Sequence, residues 1–271
     1  MVVILKREPL LDILKAQVQS VSEVEKIGTS ETTGVEGVNK SVKLHLDNGK
    51  SYLWKPRMGE HTSSWRFVPP HQLYHREKAA YVVDRILGFN MVPKVRIARY
   101  KNDIGSLQDW IEDTSPADAT LRTYSEEDIW KAGLFDLIIA NDDRHSGNWL
   151  TKLNKPILID NGFAFPSYAA KDNGRSLILS RFSYAIWDKP IPDVLLAKID
   201  RLTDDSVKQK LSKYLGPKAL GLMYERVDTL LARKRAAFPK YKVIKKLDKP
   251  PKKDEVKAHI VKSINNLVKG A

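Results

Sequence analysis

The first part of the chain alternates hydrophobic and polar residues in short runs that are separated by turn residues. Three runs have a period of two, which is typical of β-strands with one buried face: 20–27, 40–46 and 51–55. A glycine-containing stretch, 28–37, separates the first two runs, and the triplet 47–49 (Asp-Asn-Gly) separates the second from the third. The pattern predicts an antiparallel meander, and residues 9–18 before it predict a short helix.

The pattern then changes to helical periodicity. Residues 71–87 place apolar side chains on one helical face, and Gly88 is a typical residue at a helix end. Residues 91–100 predict a strand, which in this order would lead into a second lobe. The stretch that begins at Gly105 predicts another short helix.

Helical patterns dominate the second half of the chain. Residues 125–140 predict a helix with Ser125 as its N-cap, three acidic residues in its first turn and an apolar stripe along one side. Further helices are predicted over 192–201, 205–214 and 217–236. A small antiparallel sheet with one helix, followed by a mainly helical part, predicts an α+β protein with two lobes.

A hairpin is predicted directly after the helix at 125–140. Residues 149–153 predict a strand, 154–155 (Asn-Lys) a turn and 156–159 a returning strand. Asn148 and Asp160 flank this hairpin, so strand pairing would bring the two side chains close together. An amide oxygen and a carboxylate oxygen that converge in this way suit a hard cation such as Mg2+.

Asp143 lies in the polar loop five residues before Asn148. A phosphoryl-transfer site needs one carboxylate that handles the attacking group and oxygen ligands that hold Mg2+ on the nucleotide phosphates. Asp143, Asn148 and Asp160 could supply these groups. Taken alone, each acid also fits a turn, because Asp and Asn are frequent turn residues. The neighbouring Asp142 leaves open which of the two acids is the base.

Such a site also needs a cation on the phosphates. Lys55 ends the third predicted strand, and Pro56 after it stops further pairing. Glu77, in the helix at 71–87, is the expected partner of Lys55, with Glu60 as the second choice. The alternative for Glu77 is a surface ion pair within its own helix.

The order of the elements suggests two further contacts with a nucleotide. The loop that contains Gly34 and Gly37 can bring backbone N–H groups close to phosphates, although glycine-containing hairpins are usually only turns. The backbone from Ile97 to Tyr100 would offer an edge to adenine. We therefore count these four residues among the candidate nucleotide-binding residues.

Residues 143–148 (Asp-Arg-His-Ser-Gly-Asn) resemble the D-R-H-x-x-N catalytic loop of the phosphoinositide 3/4-kinases. Residues 160–162 (Asp-Asn-Gly) stand where related kinases carry the metal-binding D-F-G or D-x-G. Weaker similarity comes from 54–56 (Trp-Lys-Pro), which resembles the end of the third strand in type II phosphatidylinositol 4-kinases. The chain is thus similar to the atypical branch of the protein-kinase-like fold, which includes phosphoinositide kinases, their protein-kinase relatives and HipA-like kinases.

This resemblance implies an enzyme that uses ATP with Mg2+, or with Mn2+ in its place. By the resemblance, Asp143 orients or deprotonates the acceptor hydroxyl. Asn148 and Asp160 bind the metal. Lys55 holds the phosphates, and Glu77 positions Lys55. The implied fold is a two-lobed protein-kinase-like fold, with an antiparallel sheet and one helix in the N-lobe and a mainly helical C-lobe.

Other residues near the motif have more than one interpretation. By the resemblance His145 contacts the γ-phosphate, whereas a hydrogen bond that braces the loop is the alternative. Arg144 is expected to support the loop rather than to contact substrate. Several hydroxyl groups after the second motif are candidates for autophosphorylation: Ser167, Tyr168, Ser176 and Ser180.

Composition limits the setting of this chemistry. A chain of 271 residues is long enough for two lobes with a substantial core. The absence of cysteine excludes disulfides and thiolate metal sites, and it suits the reducing cytoplasm. The N-terminal apolar run is too short for a signal peptide, and no stretch is long enough to span a bilayer.

Positive charge is concentrated at the C-terminal end. From Arg233 onward there are 13 Lys or Arg residues against three acids, which accounts for +10 of the net charge of +13. Such a tail could contact anionic lipid, nucleic acid or an acidic protein surface, or it could only keep the chain in solution. The expected division is an N-lobe at 1–100, a C-lobe at 101–239 and a basic tail at 240–271.

These features predict a kinase that transfers the γ-phosphoryl group of ATP to a hydroxyl, with Ser or Thr of a protein substrate as the first expectation. A phosphoinositide or small-molecule kinase is the main alternative. A non-catalytic nucleotide-binding module is another, as is an adenylylating or glutamylating enzyme built on the same fold.

Overall fold

The computed structural model describes residues 11–12, 18–23, 39, 41–47, 49–60, 68–141, 143–167, 176–178, 180–237 and 241–243. Gly34, Gly37 and Asp142 lie outside these ranges. So does most of the basic tail, of which only the backbone of 241–243 is described. The phosphate contact expected at the two glycines, and the choice between Asp142 and Asp143, therefore stay predictions.

A six-stranded sheet forms the first lobe, with the strand order β1-β5-β6-β4-β3-β2. Its strands are β1 (Leu11–Asp12), β2 (Val18–Glu23), β3 (Val42–Leu46), β4 (Ser51–Pro56), β5 (Val95–Tyr100) and β6 (Asp103–Asp109). All neighbours are antiparallel except β1 and β5, which are parallel. The predicted meander is present as β2 to β4. At 11–12 the structure has a strand where the sequence predicted a helix.

Strand β6 lies where the sequence predicted a helix from Gly105 onward, so that prediction is wrong. The strand pairs with β4 on one side and with β5 on the other. At Gly105 the sheet leaves no room for a side chain, because an added Cβ would lie 2.1 Å from the carbonyl oxygen of Lys55. The first lobe therefore extends through Asp109, beyond the boundary expected at residue 100.

The two faces of the sheet have different surroundings. One face packs an apolar cluster that includes Tyr52, Trp54 and Leu107. Side chains alternate along a strand, so Leu53 and Lys55 lie on the opposite face, where both are only half-buried. This opposite face carries the predicted nucleotide-binding lysine.

Helix α1 (Leu73–Leu87) packs against the Lys55 face of the sheet, in agreement with the helix predicted at 71–87. Glu60 accepts hydrogen bonds from the backbone N–H groups of Leu73 and Tyr74 at 3.0 and 2.9 Å, which satisfies the open N-terminus of the helix. At the other end Gly88 adopts a left-handed conformation with φ of 65°, as the sequence predicted for a helix stop.

The second lobe is mainly helical. Helix α2 (Glu126–Ile139) has Ser125 as its N-cap, as predicted. It is followed by the hairpin of β8 (Trp149–Lys152) and β9 (Lys155–Leu158), with β7 (Ser115–Pro116) beside β8. The other helices are α3 (Arg181–Ile186), α4 (Asp193–Asp200), α5 (Asp205–Leu211) and α6 (Pro217–Arg233). Two short parallel strands, β10 (Ser176–Ile178) and β11 (Tyr241–Val243), complete the described elements.

One continuous apolar core joins α1 to the helices of the second lobe, with Val83, Phe135 and Met223 among its fully buried members. Within the described part of the chain, no helix has the length and apolar character needed to cross a membrane. The core therefore holds the one helix of the first lobe, and with it Glu77, in a fixed position against the second lobe.

Asp84 provides a test of how α1 packs against the rest of the protein. It is fully buried near the end of α1 and accepts hydrogen bonds from the N–H groups of Met91 and Val92. Burial raises its pKa to about 6. In the unfolded chain the pKa is about 3.9. The folded state therefore binds this proton more tightly, and the free energy of unfolding should fall as the pH rises from about 4 to about 6.

We predict that Asp84→Asn removes this part of the pH dependence, because the amide does not titrate. The measurement is urea unfolding at a series of pH values across this window. Across this window the free energy of unfolding should fall more steeply with pH in wild type than in the variant, by up to about 1.4 kcal/mol per pH unit. Equal slopes in the two proteins would contradict the prediction.

Candidate active site

Lys55 lies between two carboxylates that come from different lobes. Its Nζ donates to Oε1 of Glu77 at 2.5 Å and to Oδ1 of Asp160 at 3.1 Å. Burial by itself lowers the pKa of Lys55, but the carboxylates of Asp160 and Glu77 more than offset this effect, so the pKa lies above its ordinary value. The ammonium group is thus permanently charged and held at the boundary between the sheet and the hairpin.

Glu77 also connects α1 to the segment that follows the hairpin. Its second oxygen, Oε2, accepts a hydrogen bond from the backbone N–H of Asn161 at 3.1 Å. The predicted contact between Glu77 and Lys55 is therefore present, and it extends to the residue after Asp160. Glu60, the second choice as partner of Lys55, instead caps α1.

The loop after α2 presents Asp143 at the mouth of the hairpin. The backbone N–H of Asp143 donates to Oδ1 of Asn141, and the carbonyl oxygen of Asp143 accepts from Nδ2 of Asn148 at 2.5 Å. These bonds close the five-residue span between Asp143 and Asn148. Asp143 is half-buried.

His145 braces the same loop. Its Nδ1 accepts the N–H of Gly147 at 3.0 Å, and its carbonyl oxygen accepts the N–H of Asn148 at 2.8 Å. Of the two interpretations of His145, the structure therefore shows the hydrogen bond that braces the loop. With Nδ1 used as an acceptor, a neutral imidazole carries its proton on Nε2.

Arg144 is fully buried and forms an ion pair with Asp136 of α2, which is fully buried as well. Its Nε lies 3.2 Å from both carboxylate oxygens of Asp136, and its Nη2 lies 3.0 Å from Oδ1. The planar guanidinium suits such a paired contact better than an ammonium group would. Asp136 also accepts the hydroxyl of Ser180 at 2.7 Å. Arg144 thus supports the loop, as expected.

The same guanidinium holds both ends of the hairpin. Nη1 of Arg144 donates to the carbonyl oxygens of Asn148 and Ile159, at 2.6 Å in each case. Nη2 additionally donates to Oδ1 of Asn161. Asn148 and Ile159 are also joined directly by a backbone hydrogen bond of 3.0 Å. Arg144 therefore fixes the backbone at Asn148 and immediately before Asp160, the two candidate metal ligands.

The donor set at this place fits Mg2+ or Mn2+. Asn148 offers an amide oxygen and Asp160 a carboxylate, and the described residues contain no group of three His, Cys, Asp or Glu that could form a metal site by themselves. Mg2+ typically uses one or two protein oxygen ligands and completes its shell with water and substrate phosphates. A pair of oxygen ligands beside Lys55 matches this requirement.

Ile97 and Tyr100 do not lie at a connection between the lobes. Both are in β5, which pairs with β6 along its whole length and with β1 at residues 98 and 99. Tyr100 packs into the apolar cluster on the face opposite Lys55. The chain leaves the sheet after β6, so residues 110–112, and not 97–100, lead into the second lobe.

The structure also settles the surroundings of one candidate phosphorylation site. Ser180 is fully buried, its hydroxyl donates to Asp136, and it caps α3 by accepting the N–H of Ser183. The expectation that Ser180 is accessible for autophosphorylation is therefore wrong. Ser167 is half-buried and accepts a hydrogen bond from Arg76. Tyr168 and the side chain of Ser176 lie outside the described residues.

Sequence reasoning missed two residues of this network, Asp136 and Asn161. Asp136 stands alone as an acid in the run Leu134-Phe135-Asp136-Leu137-Ile138, and an acid within a buried helical stripe signals a buried charged partner. Asn161 gave no comparable signal, because an Asp-Asn-Gly sequence is equally typical of a turn.

Comparison with known proteins adds two findings. No protein-family model matches the chain. Among curated proteins, the chain is 31% identical over 112 residues to phosphatidylinositol 4-kinase gamma 4 from Oryza sativa subsp. japonica, a match that covers 34% of this chain and 20% of the relative. The chain thus spans about one fifth of the length of this relative.

Among solved structures, the Golgi casein kinase with Mn and ADP bound is similar with a TM-score of 0.55 and 15% identity, over 83% of this chain and 74% of that chain. Another Golgi casein kinase structure gives a TM-score of 0.53 at 16% identity, over 81% and 73%. The chain has a protein-kinase-like fold. The expected two-lobed α+β architecture of the atypical kinase type is confirmed, and at these identities the similarity concerns the fold alone.

In this kinase-like fold, the ion pair between Arg144 and Asp136 gives a testable prediction. Arg144→Leu leaves the carboxylate of Asp136 buried without its cation, which should lower the free energy of unfolding by about 3–5 kcal/mol. The double variant Arg144→Leu/Asp136→Leu removes both charges and should recover most of that loss. Both the single and the double variant should lack Mg2+-dependent binding of ADP, because in each the hairpin has lost the guanidinium that holds it.

Urea unfolding and titration of ADP with and without Mg2+ measure the two effects separately. The control is Glu127→Ala, which breaks the exposed pair between Glu127 and Lys131 and should leave both quantities unchanged. Wild-type Mg2+-dependent binding in the double variant would show that Arg144 does not position the metal ligands.

Proposed function

We propose that this protein is an ATP- and Mg2+-dependent kinase that transfers the γ-phosphoryl group to a hydroxyl, with Ser or Thr of a protein as the acceptor. The observation that carries the proposal is the assembly of Lys55, Glu77 and Asp160 by direct contacts, with Asn148 and Asp143 on the adjoining loop. The lysine comes from the sheet, the glutamate from α1 and the other three residues from the two ends of one hairpin. That convergence argues for catalysis over a purely structural or non-catalytic nucleotide-binding role.

Asp143 is the proposed catalytic carboxylate. Its backbone is fixed on both sides, through Asn141 and Asn148, so its side chain has a defined position relative to the candidate metal ligands. A carboxylate at this place can accept the proton of an acceptor hydroxyl as the hydroxyl oxygen attacks the γ-phosphorus. Its role is orientation as much as proton transfer, because positioning is the main part of catalysis in phosphoryl transfer.

Lys55, Asn148 and Asp160 are proposed to hold the nucleotide phosphates. A bound Mg2+, or Mn2+ in its place, would neutralise charge on the phosphates during transfer. Asn148 and Asp160 would supply its protein ligands, and the ammonium of Lys55 would lie against the phosphate oxygens. Glu77 keeps Lys55 in place, and Nε2 of His145 is proposed to donate to the γ-phosphate. The solved Golgi casein kinase with Mn and ADP bound supports a metal and a nucleotide in a fold of this kind.

The nucleobase is proposed to lie against the backbone at 109–112. This is the place where the chain leaves β6 for the second lobe. The N–H groups of Asp109 and Trp110 still donate to the carbonyl oxygens of Lys94 and Ser51, and the peptide groups of 111–112 follow the end of the sheet. The backbone edge expected at Ile97 and Tyr100 is engaged in strand pairing, so this segment takes its place. The glycines at 34 and 37 remain proposed phosphate contacts.

A phosphoinositide acceptor is the second candidate function. The match to a phosphatidylinositol 4-kinase favours it, although that match covers only part of the chain. Under this alternative the basic tail would contact anionic lipid; with a protein acceptor it could contact an acidic protein surface or nucleic acid. A cytoplasmic location stays a prediction from the cysteine-free composition.

The test is incubation of the full chain with ATP labelled at the γ-phosphate and, in parallel, at the α-phosphate. Label is followed into the chain itself, into added test proteins and into phosphoinositide-containing vesicles. The proposal predicts transfer of γ-label to protein and no retention of α-label. Transfer only to lipid would favour the second candidate, and retention of α-label would indicate adenylylation instead.

Two variants separate the roles within the site. Asp143→Asn should reduce γ-label transfer by at least about 100-fold while leaving Mg2+-ADP binding close to wild type, because Asp143 acts on the acceptor. Asp160→Asn should reduce both transfer and Mg2+-dependent binding. Equal binding losses in the two variants would contradict this division of roles, and wild-type transfer in either would contradict the site.

A further inference from the structure

Two polar side chains of β6 lie on the same face of the sheet as Lys55. In the antiparallel pairing, Ser106 is directly opposite Lys55, and Gln108 is directly opposite Leu53. Residues that face each other across antiparallel strands lie on the same side of the sheet. On this face of the sheet, Gln108 is therefore the next residue of β6 after Ser106, the residue opposite Lys55.

This face carries Lys55, the candidate phosphate contact. Leu53 and Lys55 are only half-buried, whereas their neighbours Tyr52 and Trp54 are buried in the apolar cluster on the other face. The chain leaves the sheet immediately after Asp109, so Gln108 is the last residue of β6 on this face. Gln108 thus lies between the lysine and the segment proposed to contact the nucleobase.

Gln108 is buried without a complete set of hydrogen bonds. Only 6% of its surface is exposed, and its side-chain oxygen has no donor among the residues that the structure describes. The hydroxyl of Ser106 is in the same situation. A buried acceptor without a donor destabilises the folded protein, and an apolar side chain such as that of the adjacent, fully buried Val95 would avoid this cost.

We propose that Gln108 selects the nucleobase by accepting a hydrogen bond from the exocyclic amino group of adenine. This inference rests on the proposed function, since it assumes a nucleotide bound beside Lys55. The atom that lacks a partner is an acceptor, and it requires a donor. Adenine offers a donor amino group at this edge, whereas hypoxanthine and guanine carry a carbonyl oxygen there, which cannot donate. Ser106, opposite Lys55, lies further along the strand from the proposed base.

The test compares binding of ADP and IDP, in the presence of Mg2+, to wild type and to Gln108→Leu. IDP differs from ADP by a carbonyl oxygen in place of the amino group and by a hydrogen on the adjacent ring nitrogen N1. Wild type should bind ADP at least about tenfold more tightly than IDP, the effect of one hydrogen bond to an otherwise unpartnered group. In the variant the ADP affinity should fall by a similar factor and the IDP affinity should stay within about twofold, so the preference should disappear.

Stability of the unliganded protein supplies a second readout. Because Gln108→Leu removes an unsatisfied acceptor, its Tm should be equal to or higher than that of wild type. Gln108→Met, which keeps the length of the side chain without the amide, serves as the second variant if leucine is not accommodated. Ser106→Ala is the matched control on the same strand face, and it should keep the wild-type preference for ADP.

The outcomes distinguish this inference from the proposed function. An ADP preference that is the same in wild type and in both Gln108 variants would overturn the role of Gln108 and leave the proposed kinase function standing. A lower Tm in both variants would show that the amide is bonded within the unliganded protein, which would also overturn it. Failure of wild type to bind either nucleotide would overturn both.

Discussion

The buried ion pair between Asp136 and Arg144 is the interaction on which the arrangement of the site depends. Asp136 comes from a helix in which its neighbours from Leu134 to Ile139 are all apolar and buried, and it fixes the guanidinium in a position with no exposure to solvent. The guanidinium in turn holds the backbone of Asn148 and Ile159. A buried pair contributes little net stability by itself, so its value here is geometric. The pair fixes the backbone positions from which the side chains of the two candidate metal ligands extend.

The second constraint joins the lobes. Glu77 accepts a hydrogen bond from Lys55 of the sheet with one oxygen and from the backbone of Asn161 with the other. Asn161 also accepts from Arg144, so the lysine, the helix and the hairpin form one continuous polar network. The charged groups of the site are thus held in contact with one another, which is the property expected of an electrostatically preorganised site.

Periodicity and capping were sufficient to predict α1, α2 and the hairpin, because their signals are local. Strand β6 was not predictable in the same way. Its sequence around Gly105 is rich in small and polar residues, and one of its two partners, β4, lies some fifty positions earlier in the chain, so pairing overrides local preference. The expectation that Ile97 and Tyr100 lie at the connection between the lobes follows from this error. The contact of Lys55 with Glu77 could be predicted from the order of the elements, whereas the link through Asn161 depends on a backbone N–H that has no sequence signal.

The central claim is that Asn148 and Asp160 form a metal site for the phosphates of a nucleotide. The most direct measurement is a crystal structure with Mn2+ and a non-hydrolysable ATP analogue, in which anomalous scattering locates the metal. The account predicts an Mn2+ peak within about 2.5 Å of oxygens of both residues, with phosphate oxygens completing its shell. A nucleotide-bound Mn2+ peak that contacts neither Asn148 nor Asp160 would contradict it.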